Sequence, residues 1–272
     1  MADVLTSIVE GVREDLADRK RNTSLSELID KISARSSALP AAANLLARPF
    51  SVIAEVKRSS PSKGDLATIA DPKALADKYA TGGAQVISVL TERRRFGGSL
   101  ADLVAVRDAV EIPILRKDFM VDDYQVYEAR AFGADVILLI VAALGDSQLQ
   151  DLNELAKELG LSVLVEVHNE DELERAFELN PQLLGVNARN LKTLDVDLAV
   201  CQRLIPMIPK NILAIAESGI SSLKEVEQLV QVGARGVLVG ETLVKSGNPS
   251  ETIQEWTEVG TQLATEVLGN RS

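Results

Sequence analysis

The chain is poor in the residues from which disulfide, zinc and nucleophile-triad sites are made. Its 272 residues include one cysteine, Cys201, and one histidine, His168. A lone cysteine excludes a disulfide framework, and the two together are too few soft ligands for a zinc site built within one chain. A Ser-His-Asp enzyme would have only His168 to use, so acid–base chemistry falls to lysine and glutamate. There is no excess of positive charge either: 29 Lys and Arg face 40 Asp and Glu, a net charge of −11. Duplex nucleic acid and acidic membrane surfaces are therefore disfavoured as partners. No G-x-G-x-x-G or Walker A pattern occurs, which leaves a nucleotide-cradling loop without support. The longest apolar run, Val136 to Leu144, is far short of the roughly 20 residues that span a bilayer. Met1 to Arg21 lacks the continuous apolar core of a signal peptide. The expectation is a soluble, cytoplasmic protein of ordinary globular composition.

What is present is a repeat. Short β-branched, apolar runs occur at Val52–Val56, Val86–Leu90, Ile112–Leu115, Val136–Val141, Val163–Val167, Leu183–Val186, Ile212–Ala216 and Gly236–Gly240, their starts 20 to 34 residues apart. Runs without polar alternation read as strands buried on both faces, the mark of a parallel sheet. Helical patterns lie between them. Asp71-Pro72 is a cap followed by a proline suited to the first turn, with Leu75, Ala76 and Tyr79 as the apolar stripe. Cap-like pairs recur at Ser99/Asp102, Asp122/Gln125, Asn169/Glu172 and Ser222/Glu225. Three helices end in the same phrase, Gly83-Ala84, Gly133-Ala134 and Gly233-Ala234, where glycine can take the left-handed conformation that closes a helix.

Eight units of one size without a linker predict an α/β protein with a closed (β/α)8 TIM barrel over residues 49–272. An open doubly wound sheet is the runner-up. Residues 1–48, with Leu5, Ile8 and Val9 and then Leu25, Leu28 and Ile29 at helical spacing, predict an N-terminal helical extension packed on the barrel within one structural domain.

Barrel active sites form at the carboxyl ends of the strands. There the sequence places Glu55 and Lys57, on one face at period two; then Arg116-Lys117-Asp118, Glu166-Val167-His168, Asn187-Ala188-Arg189, Glu217-Ser218-Gly219 and Gly240-Glu241. Buried charges are costly unless paired, so this many polar ends at one mouth point to a site. Both signs are present, as acid–base work combined with anion binding requires. Ser218-Gly219-Ile220 and Gly240-Glu241 suit a phosphate, since glycine lets an anion approach backbone N–H groups. Ser59-Ser60-Pro61-Ser62-Lys63-Gly64 adds hydroxyls and a cation.

The motifs themselves are specific. Ile53-Ala54-Glu55-Val56-Lys57-Arg58-Ser59-Ser60-Pro61-Ser62-Lys63-Gly64 resembles the first-strand signature of the indole-3-glycerol phosphate synthase family. Leu115 to Phe119, Leu164 to His168, Gly185 to Leu191 and Ala216 to Ile220 resemble its later motifs, in the family's order and over essentially the whole chain. The resemblance implies conversion of 1-(2-carboxyphenylamino)-1-deoxyribulose 5-phosphate to indole-3-glycerol phosphate in tryptophan biosynthesis, with loss of carbon dioxide and water and no cofactor or metal. It implies Lys117 as general acid, Glu166 as acid or base in the dehydration, and Lys57 at the substrate carboxylate. Glu55 and Glu217 would orient the lysines and sugar hydroxyls, Asn187 a hydroxyl or oxyanion, and Arg189 the acidic side of the pocket, with Ser218 a polar contact. Phosphate would lie against Ser60, Gly219, Gly240 and Glu241. Phe96, Phe119, Pro61, Leu138 and Leu191 would form the apolar slot for the aromatic ring. The segments Thr91 to Ser99 and Met120 to Asp122 depart slightly from the family's pattern.

His168 reads as a structural or helix-start residue, Cys201 as a small apolar group on a helix stripe, and Trp256 as packing on the barrel wall. Arg93-Arg94-Arg95 reads as a solvated loop that could draw in an anionic substrate. Alternative readings are another phosphate-binding barrel, such as phosphoribosylanthranilate isomerase, and a non-catalytic barrel module. A monomer or weak oligomer is expected, and association with other tryptophan-pathway enzymes is left open.

Overall fold

The computed structural model describes residues 4–62, 64–66 and 69–269. Eight parallel strands close into a barrel: β1 Ser51–Val56, β2 Val86–Leu90, β3 Ile114–Lys117, β4 Val136–Ile140, β5 Ser162–Val167, β6 Leu183–Asn187, β7 Leu213–Glu217 and β8 Gly236–Val239. β8 returns to β1 in the register Ser51↔Gly236 to Ala54↔Val239, so the open sheet is excluded. Apart from Lys117 and Ser162, every residue of these strands is buried, as their unbroken apolar runs require.

Each expected run is a barrel strand, all but one within a residue at either end, and two of the differences have a local cause. β3 begins at Ile114 rather than Ile112, because Pro113 has no N–H to give to a ladder, and it continues to Lys117. β4 stops at Ile140, where Val141–Ala143 tightens into a 3-10 turn and Arg175 donates to the Val141 carbonyl. A two-residue hairpin, Ser59–Ser60 against Gly64–Asp65, follows β1; strands so short carry no periodicity to read. Lys63 lies outside the described residues.

The helices are α1 Val4–Asn22, α2 Leu25–Ser33, α3 Ala41–Leu46, α4 Pro72–Thr81, α5 Leu100–Arg107, α6 Asp123–Ala131, α7 Asp146–Glu158, α8 Glu170–Phe177, α9 Ala199–Leu204, α10 Leu223–Val232, α11 Glu241–Lys245 and α12 Pro249–Gly269. Asp71 caps α4 through Lys73 and Ala74, and Ser99 and Asn169 cap α5 and α8. Asp122 instead reaches Tyr124 N–H, while Gln125 turns back to Val121 and Phe119. Gly83, Gly133 and Gly233 all have left-handed φ, at 90°, 97° and 115°.

Leu5, Ile8, Val12 and Leu16 bury one face of α1. Of the second stripe only Leu28 is buried, packed with α6; Leu25 and Ile29 are 40% and 44% exposed. α1 reaches the loop after β2, where Arg94 pairs with Glu14 and Asp15 at 2.7 Å and Arg95 donates to Ser7. α3 lies toward the other end, with Ala42 N–H donating to the Ser162 hydroxyl at the start of β5.

Candidate active site

Because the strands are parallel, all eight carboxyl ends share one rim. β1 brings Glu55 and, one residue past its end, Lys57; their Oε1 and Nζ are 3.3 Å apart. Lys57 Nζ also sits 5.8 Å from the centre of the Phe96 ring, within cation–π range. β3 ends at Lys117, whose ammonium donates to Glu166 Oε2 of β5 at 3.0 Å and to Glu217 Oε2 of β7 at 2.8 Å. Three strands thus meet at one nitrogen. Asn187 closes β6, hydrogen-bonded to Glu166 and accepting the Arg189 N–H. The three glutamates are almost wholly buried.

The two carboxylates on Lys117 are not equivalent. Burial alone would raise both. For Glu166 the opposing charges of Lys117 and His168 and the Asn187 hydrogen bond win, and its carboxyl is held well below the usual range. Glu217 shares Lys117 with a second anion, and its pKa is pushed up to about 7 by burial and the Glu166 charge against the pull of Lys117. Lys117 itself would be lowered by burial, but Glu166, Glu217 and Glu55 together raise it, so it rests as an ammonium. Two neighbouring carboxyls with separated affinities for a proton are what acid–base catalysis uses.

Glycine makes room for these groups. A Cβ at Gly185 would overlap Glu217 Oε1, and one at Gly240 would lie 2.6 Å from Glu55 Oε1. Beside them opens a cavity of about 960 Å³ whose wall includes Glu55, Lys57, Lys117, Arg189, Glu217 and Ser218, with Gly219, Gly240 and Glu241 also on it. Arg189 ties two rim loops together, donating to Ser62 Oγ at 2.9 Å and to the Leu194 carbonyl at 3.0 Å; burial lowers its pKa against Glu241 and Glu55.

On the side of β7 and β8, Ser218 and Gly219 both adopt left-handed φ, 66° and 76°. The N–H groups of Ser221 and Ser222 are already taken by Glu225. An anion there would therefore meet the backbone of 218–220 and of 240–242. Glu241 could contribute only its N–H, since its carboxylate pairs with Lys245 at 2.7 Å. Ser60 Oγ is buried without a hydrogen-bond partner and does not line the cavity.

The expected apolar residues are divided. Phe96 and Phe119 face each other with ring centres 6.2 Å apart, beside Lys57. Leu138 is interior to the barrel, Leu191 packs partly buried against the core, and Pro61 is half-buried; none of these five lines the large cavity. Sequence reasoning missed Trp256, which is buried yet contributes to the cavity wall from α12. It carries the same signal as any packed helix residue. Arg94 is not free to attract substrate, being committed to α1. Cys201 is buried in α9 and donates to the Val186 carbonyl at 3.3 Å, as a packing residue would. Among the described residues no three His, Cys, Asp or Glu side chains form a metal-holding group.

Fold and site together define a parallel eight-stranded α/β barrel that gathers a buried lysine–glutamate cluster at its carboxyl rim. A family model for indole-3-glycerol phosphate synthase matches residues 5–256, and the chain belongs to that family. It is 57% identical over 256 residues to the indole-3-glycerol phosphate synthase of a Nocardioides species, covering 94% of this chain and 98% of the relative. It is 53% identical over 264 residues to that of an Arthrobacter species, covering 95% and 97%. Among solved structures, the thiamine phosphate pyrophosphorylase of Pyrococcus furiosus matches at a TM-score of 0.59 and 15% identity, over 82% of this chain and 99% of that one; this likeness bears on the fold alone. Among the described residues no helix is long and apolar enough to cross a membrane.

Proposed function

We propose that this chain closes the indole ring of indole-3-glycerol phosphate from 1-(2-carboxyphenylamino)-1-deoxyribulose 5-phosphate, as a cytoplasmic, metal-independent step of tryptophan biosynthesis. The observation that carries the reading is Lys117 suspended between Glu166 and Glu217 at one end of a cavity large enough for a phosphorylated aromatic substrate.

The ring carbon bearing the carboxylate attacks the ribulose carbonyl, whose oxygen must gain a proton as the bond forms. Lys117, resting as an ammonium, is the donor. Breaking the bond to the carboxylate then releases carbon dioxide and returns its electron pair to the ring. The former carbonyl oxygen leaves as water and so collects two protons. One is that supplied by Lys117 and replaced from solvent. The other is lost from the carbon next to nitrogen, and Glu166, a carboxylate at rest, is suited to take it and pass it to the departing hydroxyl. Lys57 would hold the substrate carboxylate, and Phe96 and Phe119 the anthranilate ring, with Pro61, Leu138 and Leu191 behind them. Glu55 and Glu217 orient the two lysines. Asn187, Ser218 and Arg189 hold the sugar and the acidic rim, and phosphate takes the backbone of Gly219, Gly240 and Glu241, with the Ser60 hydroxyl outside that cavity. Residues 1–48 act as an extension of the 49–272 barrel in a monomer or weak oligomer.

Purified protein given the anthranilate-ribulose phosphate, with no added metal, should develop indole absorbance and fluorescence. Wild-type protein that gives no turnover overturns the reading.

A further inference from the structure

His168 is the chain's sole imidazole, and none of the steps above uses it. It lies just past the end of β5, two residues beyond Glu166. Its Nε2 is 3.3 Å from Glu166 Oε1, and its Nδ1 is 2.9 Å from Glu172 Oε2 in the first turn of α8. The backbone N–H of His168 donates to that same Glu172 oxygen at 2.8 Å, and Asn169 holds the other at 2.7 Å. The ring is thereby fixed from behind, with its side chain only 10% exposed.

Glu166 is in turn gripped from two sides, with Lys117 on Oε2 and His168 facing Oε1. A neutral imidazole has one N–H and could serve only one of its two flanking carboxylates, whereas an imidazolium serves both. The Nε2 contact is ionic rather than an aligned hydrogen bond, so charge, not direction, gives it its strength.

We propose that His168 is a positioning residue: as an imidazolium braced by Glu172, it holds Glu166 ionised and turned to accept the proton lost in the dehydration. The proposal rests on the role given to Glu166 above. The charged groups facing the pair are Glu172 from α8, Lys117 from β3 and Glu217 from β7, with the Asn187 amide from β6. Burial would lower the His168 pKa, but the contacts with Glu166 and Glu172 push it up to about 9, in the same sense as the geometry.

Because there is one histidine, its 15N resonances need no assignment. Both ring nitrogens should be protonated at pH 7.5 and titrate well above the ordinary value of about 6.5. In Glu166→Gln that titration should fall by at least about one pH unit, the usual effect of losing a nearby opposite charge. His168→Asn keeps a donor for Glu172 and α8 while withdrawing the cation from Glu166. It should lower kcat about tenfold with KM little changed, because Glu166 loses the cation that holds it in place. A ring that titrates near 6.5, a titration indifferent to Glu166→Gln, or an unchanged kcat in His168→Asn each overturns the proposal. Should His168→Asn fail to fold, the wild-type and Glu166→Gln titrations still decide. Turnover without coupling sinks this inference alone; coupling without turnover sinks the proposed reaction.

Discussion

Asp135 and Glu217 are buried carboxylates at opposite ends of the same barrel, and their surroundings differ in kind. Asp135, just ahead of β4, is saturated: Leu39 N–H donates to Oδ1 at 2.8 Å, and Ile114 N–H and Arg107 Nη1 donate to Oδ2 at 2.9 and 2.8 Å. It joins the α3 approach, β3 and α5 into one block. Glu217, the last residue of β7, gives Oε2 to Lys117 and has no hydrogen-bond partner for its buried Oε1. The backbone repeats the contrast. Left-handed positions at the helix ends entering β2, β4 and β8 are glycines and the one entering β6 is Asn180, a residue that tolerates this region, whereas at the carboxyl rim they include Leu194 and, next to Glu217, Ser218, a conformation that costs about 1 kcal/mol or more in a side-chain-bearing residue. The Asp135 carboxylate is finished by the protein itself. Glu217 is left with an unfilled oxygen beside a strained residue, at the rim where a bound substrate can use both.

Substitutions at the two ends should therefore separate rate from stability. Lys117→Met should lower kcat by about 10³-fold, within the range general acids supply, while the far-UV circular dichroism spectrum stays that of the wild type. A near-normal rate would assign the acid to another group. Asp135→Asn should do the reverse, costing about 3 kcal/mol because it leaves Arg107 without its counter-charge, with kcat close to wild type. Urea unfolding and steady-state assays on the same preparations compare the two. If Asp135→Asn impaired the rate as much as stability, the division of labour between the ends would be wrong.

Glu217→Gln tests the cost of the unfinished end. Its carboxyl is raised to about 7 from an ordinary 4.5, so the folded chain holds that proton more tightly than the unfolded one. The associated stability is complete below pH 4.5 and is lost as pH rises through 7. Stability–pH curves of wild type and Glu217→Gln should accordingly diverge between pH 5 and 8, the wild type falling relative to the variant by roughly 2–3 kcal/mol. Parallel curves over that window would show that Glu217 is ionised throughout.

The carboxyl rim was legible in the sequence, whereas Asp135 was not. Eight buried runs and their glycine stops define strands and helix ends locally, and the parallel direction then sends Glu55, Lys117, Glu166 and Glu217 to one rim. The shared ammonium was not legible: Lys117 is 49 residues from Glu166 and 100 from Glu217, and only barrel closure and register bring both carboxylates within 3.0 Å of its nitrogen. His168 looked like a helix-start residue, and its bond to Glu172 is that; its second contact, with Glu166, depends on side-chain direction at the strand end. Leu25 and Ile29 failed for a different reason. A stripe at helical spacing says which residues share a face, and not whether that face meets a neighbour.

The smallest effect belongs to Gly83, at the amino end. Its φ of 90° is left-handed, and a Cβ there would meet nothing within 4 Å, so Gly83→Ala isolates backbone conformation from packing. A methyl group with room around it should still cost about 1 kcal/mol, because the left-handed backbone is unfavourable for alanine. Gly83→Asn should cost less, as asparagine tolerates that region better. Neither should change kcat, since α4 joins β2 at the end of the barrel away from Lys117. A loss of about 2–4 °C in Tm for the alanine variant, smaller for asparagine, would fit. Equal losses would mean that the side chain and not the turn is at fault, and a change in kcat would show that strain at this end is felt at the other.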